Sequence, residues 1–186
     1  PVIGHYQASY RDPNRDKIHG RIWRVSAKDR PPVVRPELDK MDGPQLVEQL
    51  RSPERWVRQQ AGRLIASRES AVIREDLWKA EDATPAFLYE VLAAQAGQGE
   101  INEFLLLKCL GHEEAKLRAF AVRLWLQHAA WPEENASPDD EEDFIRRFAN
   151  AVNDPHPRVR LEAVVGAGYL KSAMAVELAL GVLDHP

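Results

Sequence analysis

Three segments of this chain superpose without gaps: "LRSPERWVRQQAGRL" (50–64), "LGHEEAKLRAFAVRL" (110–124) and "VNDPHPRVRLEAVVG" (152–166). Each opens on an apolar residue, Leu50, Leu110 or Val152, and continues through a short polar turn. Seven residues after the opening comes an apolar residue followed by arginine: Val57-Arg58, Leu117-Arg118 and Val159-Arg160. Three residues after each arginine stands an alanine: Ala61, Ala121 and Ala163. A fourth copy begins at "VLDHP" (182–186). Self-similarity at this scale constrains the fold strongly, because one such unit cannot bury its own apolar face whereas stacked units can.

The units read as helix pairs. The opening apolar residue ends a first helix, and the polar turn starts a second one, with proline at a first-turn position where its missing N–H is harmless. Pro155 belongs to that turn. The small alanine lets the second helix approach its neighbour closely. Gly166 and Gly168 are read the same way, since glycine inside a helix costs about 1 kcal/mol relative to alanine and needs a packing reason. Arg58 and Arg118 are 60 residues apart, and the gap has room for a degenerate pair at 70–80 and 84–96. Helical periods recur elsewhere: Val57, Ala61, Leu64 and Ile65; Leu117, Ala121, Leu124 and Trp125; Phe144, Ile145, Phe148, Ala149 and Val152. The expected fold is all-α, an α-α superhelix of eight or nine helices with a short N-terminal β-strand or hairpin extension.

Three regions follow from these patterns. Residues 1–27 alternate in the manner of a strand, 28–43 are proline-rich and read as an extended linker, and 44–186 hold the helices. A second break at "WPEENASPDDEED" (131–143) leads into a helix that Ser137 or Asp139 is placed to cap. The acids at 139–143 then lie near its positive end as a solvated helix start.

Charge narrows the function classes. Residues 1–35 carry eight Lys/Arg against three Asp/Glu, and residues 36–186 carry 17 against 26, so the helical body is acidic and argues against non-specific nucleic-acid binding. No apolar run approaches a membrane span. The one cysteine, Cys109, excludes an internal disulfide and lies on an apolar stretch that suits a buried, inert thiol. His112 and His128 flank one helix and are too far apart for a shared site. The chain opens at Pro1 rather than Met and carries no signal peptide, which suggests a piece of a longer protein. His5, Asp12, Asp16 and His19 are ligand-type residues, but their spacing fits no standard metal motif, and they read as turn-tying groups. No catalytic, cofactor-binding or metal-binding residue is assigned, and no Cys-x-x-Cys-His is present to attach haem.

The run Asp154-Pro155-His156-Pro157-Arg158-Val159-Arg160 resembles the HEAT repeat family, which belongs with the armadillo-like superhelices. The resemblance implies that the turn aspartate and the second-helix arginine form ladders between repeats. Asp154 and Arg160 match that pattern, whereas Ser52 and His112 stand where the other copies need aspartate. Residues 1–25 resemble the end of the β-propeller in PVC-type putative membrane-bound dehydrogenases, where a propeller precedes HEAT-like repeats and a cytochrome c segment. The matching residues are Gly4-His5-Tyr6, Arg11-Asp12-Pro13, Arg15-Asp16 and the run His19-Gly20-Arg21-Ile22-Trp23-Arg24-Val25. The resemblance implies an extracytoplasmic location and a parent chain whose haem lies outside this region. It implies partners that are proteins: the chain's own propeller and cytochrome domains, or another chain. The leading expectation is a non-catalytic module for protein interaction or domain positioning. The alternatives are a contribution to an oxidoreductase site completed by the propeller, and a HEAT-type nucleic-acid module. In isolation the chain is expected to show neither dehydrogenase activity nor haem absorbance.

Overall fold

The computed structural model describes residues 28–29, 34–68, 84–128 and 137–185. The propeller-like residues 1–27, and the pair member read at 70–80, lie outside the described residues. The chain divides into two compact units, 1–35 and 36–186. In the first, Asp29 adopts a left-handed conformation, with φ 66°.

In the second unit the described residues are all-helical, with eight α-helices and no strand. They are α1 Gly43–Gln49, α2 Arg55–Ser67, α3 Pro85–Gln98, α4 Glu103–Leu110, α5 Ala115–His128, α6 Pro138–Val152, α7 Pro157–Ala167 and α8 Ala173–Ala179. Short 3-10 turns lie at Leu38–Lys40 and Leu180–Asp184. Three hairpins, α1–α2, α4–α5 and α6–α7, pack internally, and α2, α3, α5 and α7 contact one another in that order.

The starts of the helices are set by local chemistry. Asp42 and Gln45 form a reciprocal capping box on α1. Thr84, Asn102 and Ser137 cap α3, α4 and α6, each accepting the N–H three residues on. Of the two residues placed to cap α6, the structure uses Ser137. Asp139, Asp140 and Glu141 occupy the first turn of α6, where the macrodipole favours them. At α7 the first helical position is Pro157, with His156 as the cap, so Pro155 sits in the turn and not in the helix.

The apolar stripes face inward. Val57, Leu117 and Val159 are buried, as are Ala61, Ala121 and Ala163. Gly166 brings α7 against α5: a Cβ there would lie 2.7 Å from Leu126 Cβ, too close for any side chain. Gly97 does the same between α3 and α2, 2.9 Å from Ala66 Cβ. Gly168 differs from its sequence reading, because it caps the end of α7 and, among the described residues, an added Cβ meets only the Val165 carbonyl of its own helix. The segment read as an extended linker also differs at its end. Leu38 is buried, its 3-10 turn contacts α2, and Arg68 fastens that turn by donating to Met41 O at 2.6 Å and Asp39 O at 3.0 Å.

Candidate interaction face

The turn of each hairpin is built the same way from different side chains. Ser52 Oγ, His112 Nδ1 and Asp154 Oδ1 each accept the backbone N–H two residues on, from Glu54 (3.2 Å), Glu114 (2.9 Å) and His156 (2.8 Å). A hydroxyl, an imidazole and a carboxylate thus serve as one acceptor, which closes the turn before the second helix. The repeat arginine then reaches back over that turn. Nη1 of Arg58 donates to Ser52 O (2.8 Å) and Pro53 O (3.0 Å). Nη1 of Arg118 donates to His112 O and Glu113 O, both at 2.8 Å. Nη1 of Arg160 donates to Asp154 O (3.0 Å) and Pro155 O (3.2 Å). Carbonyls of the turn, which lie past the C-cap of the first helix, thereby gain charged donors.

What the arginines do between units differs. Arg118 grips Asp154 of the following hairpin through two N–H groups, at 2.8 and 2.9 Å. Arg58 reaches Glu90 on α3 at 2.9 Å instead. Burial pushes the Asp154 carboxyl up, but the Arg118 hydrogen bonds and charge, with the His156 N–H, outweigh it and hold the group below its ordinary value.

A second charged knot lies between α5 and α7. Glu162 is buried, only 4% exposed, and takes two bonds from Arg123, at 2.8 Å from Nε and 2.6 Å from Nη2. Arg158 stands 3.0 Å from the same carboxylate. The Arg123 hydrogen bond holds the Glu162 carboxyl below its ordinary value against the opposing effect of burial. Beside this knot Tyr89 and Phe120 stack with ring centroids 4.0 Å apart, joining α3 to α5. These residues line three adjoining hollows of about 910, 390 and 360 Å³ across the second helices. The first two hollows share Tyr89, Glu114 and Lys116; the second and third share Arg123, Arg158 and Glu162.

The repeat residues singled out in the sequence therefore do two things. Val57, Ala61, Leu117, Ala121, Val159 and Ala163 fill the interior, while Arg58, Arg118, Arg160 and Asp154 brace turns and units. The propeller-like set His5, Arg11, Asp12, Arg15, Asp16, His19, Gly20, Arg21 and Trp23 lies outside the described residues. Sequence reasoning missed Glu90, Arg123, Glu162 and the Tyr89–Phe120 stack. Glu162 carried one readable signal: it lies three residues after Val159, on the inward stripe, and four after Arg158.

Cys109 is fully buried, and burial pushes its thiol up to about 11, with Lys108 pulling slightly the other way. Among the described residues no three or more His, Cys, Asp or Glu side chains converge as metal ligands, and no helix is long and apolar enough to cross a membrane. No family model, curated protein or solved structure matches the chain.

Proposed function

We propose that residues 44–186 are a HEAT-like solenoid module that binds or positions protein domains and performs no chemistry of its own. The observation that carries the reading is the hairpin built three times with one brace, Arg58, Arg118 and Arg160 each tied to two carbonyls of its own turn. A unit repeated in this way extends a surface without concentrating reactive groups at one point. The side formed by α2, α3, α5 and α7 offers arginines with Tyr89 and, just past α7, Tyr169, the residue types that anchor protein interfaces. The resemblance of residues 1–25 to a propeller end supplies the wider setting: a propeller before the module, a cytochrome c segment after it, and a location outside the cytoplasm.

Two measurements test this. The native reading frame should encode propeller strands upstream and a Cys-x-x-Cys-His downstream. The flanking segments, expressed separately, should bind this chain in isothermal titration calorimetry. Flanks of another kind would remove the dehydrogenase setting. Flanking domains that do not bind would remove the positioning role.

A further inference from the structure

The three hollows across α2, α3, α5 and α7 form a groove whose charge opposes that of the body carrying it. Residues 36–186 hold 17 Lys/Arg against 26 Asp/Glu. Among the described residues, the charged side chains lining the hollows are Arg55, Arg58, Lys116, Arg123 and Arg158 against Glu90, Glu114 and Glu162, with His156 beside them. Two of those three acids are already engaged within the fold. Glu90 pairs with Arg58, and the buried Glu162 is shared by Arg123 and Arg158. Glu114 is turned to its own helix start, accepting the Lys116 N–H at 3.3 Å. Arg55 and the Lys116 ammonium make no ion pair among the described residues, and Arg158 is 54% exposed beyond its contact with Glu162. Between these cations stands an apolar wall, the stacked Tyr89 and Phe120, with Tyr89 40% exposed. Tyr169, 51% exposed, lines the third hollow.

Cations with no ion pair among the described residues, set beside exposed aromatic rings on an otherwise acidic body, select for a partner that is anionic and partly apolar. Charge complementarity steers such a partner to this side and repels it elsewhere, and the rings supply the contact area that holds it. We propose that this groove docks an acidic segment of a partner protein, carrying aromatic or aliphatic side chains between its carboxylates. The proposal rests on the reading of the chain as a protein-binding module and gives that reading a partner chemistry. Nucleic acid fits the groove poorly. Its affinity comes from many phosphates neutralised by Lys and Arg, and among the described residues this lining has an excess of only two cations, with the Glu114 carboxylate standing beside them.

A short fluorescein-labelled peptide of glutamates with two phenylalanines is the probe, and its glutamine counterpart is the control. Fluorescence anisotropy should show saturable binding of the acidic peptide and binding about tenfold weaker for the neutral one. Arg55→Glu with Lys116→Glu should weaken binding about tenfold or more without loss of helical circular dichroism, since neither side chain takes part in an ion pair among the described residues. Lys108→Glu, on α4, should leave it within about twofold. Equal binding of the two peptides would overturn the proposal, as would indifference to the groove reversal or absence of saturation at about 1 mM peptide. A dimer of the chain that the groove reversal abolishes, with no peptide bound, would overturn it in favour of a second copy. Flanking domains that bind while the peptide does not would sink the groove alone. Peptide binding without flanking-domain binding would sink the positioning role alone.

Discussion

Arg118 joins three parts of the chain through one guanidinium. Nε and Nη2 hold both oxygens of Asp154 in the next hairpin, at 2.8 and 2.9 Å, while Nη1 holds the carbonyls of its own turn. The two side chains are 14% and 11% exposed, so this pair is largely shielded from water. Removing the cation strands a carboxylate there, and Arg118→Met is expected to cost about 3 kcal/mol in urea unfolding. Arg58→Met should cost less, about 1 kcal/mol, because the Arg58–Glu90 pair is wetter and has one bond rather than two. A larger loss at Arg58 than at Arg118 would show that the rung contributes nothing beyond the turn brace they share.

The same carboxylates set the response to acid. Asp154 is held below 3.8 and Glu162 below 4.5 in the folded chain. A depressed folded pKa means that the unfolded chain takes up the proton first. The contribution to stability is therefore fully present above those ordinary values and is lost as pH falls through the lower folded ones. Urea midpoints measured from about pH 7 down to about pH 3 should hold until roughly pH 5 and then drop. Asp154→Asn should start lower and fall less steeply below about pH 4, since one titrating group is gone. Parallel slopes for the two proteins would remove Asp154 from the acid response.

How much of this was legible in the sequence depends on which atoms carry each feature. The helical class and the hairpin register were legible because burial follows side-chain period: Leu50, Leu110 and Val152 close or end the first helices, and the second helices start five residues later at Arg55, Ala115 and Pro157. The shared turn was not, because Ser52, His112 and Asp154 have no common residue type, only a common acceptor two residues before an N–H. The arginine brace was also hidden, since its acceptors are backbone carbonyls that any sequence provides. Judged by residue type alone, Ser52 and His112 interrupt an aspartate ladder. In the fold, the turn keeps its geometry at all three positions, and only the rung between units is specific to Asp154. The Arg123–Glu162 knot joins residues 39 apart, a separation that no local pattern encodes.

Gly166 and Gly168 look alike in sequence and should respond unequally to the same change. A Cβ at Gly166 meets Leu126 Cβ at 2.7 Å, an atom fixed to the α5 backbone, so the two helices have to move apart. Gly166→Ala should cost about 2 kcal/mol despite the better helix propensity of alanine. At Gly168 φ is −64°, and the nearest atom to an added Cβ is Val165 O at 3.3 Å. Gly168→Ala should stay within about 0.5 kcal/mol of the parent, since the unfolded chain loses freedom as well. Thermal melts that rank the two variants the other way would contradict the close approach of α5 and α7.

Cys109 offers a direct probe of the α4–α5 contact. It is wholly buried on α4, and α4 packs on α5. Its thiol titrates at about 11, so at about pH 8 only about one molecule in a thousand carries the reactive thiolate, and that sulfur is covered. Labelling by a disulfide reagent therefore requires the helix to lift. In native buffer the reaction should run at least about a hundredfold slower than in unfolded protein, where the sole thiol should react at once and to completion. Adding denaturant below the unfolding transition should raise the native rate, with a slope that reports how much of the chain opens with α4. A slope equal to that of global unfolding would join α4 to the cooperative core. A smaller slope would make the α4–α5 hairpin a separate opening unit. Rapid stoichiometric labelling without denaturant would place the sulfur at the surface and break the packing of α4 on α5.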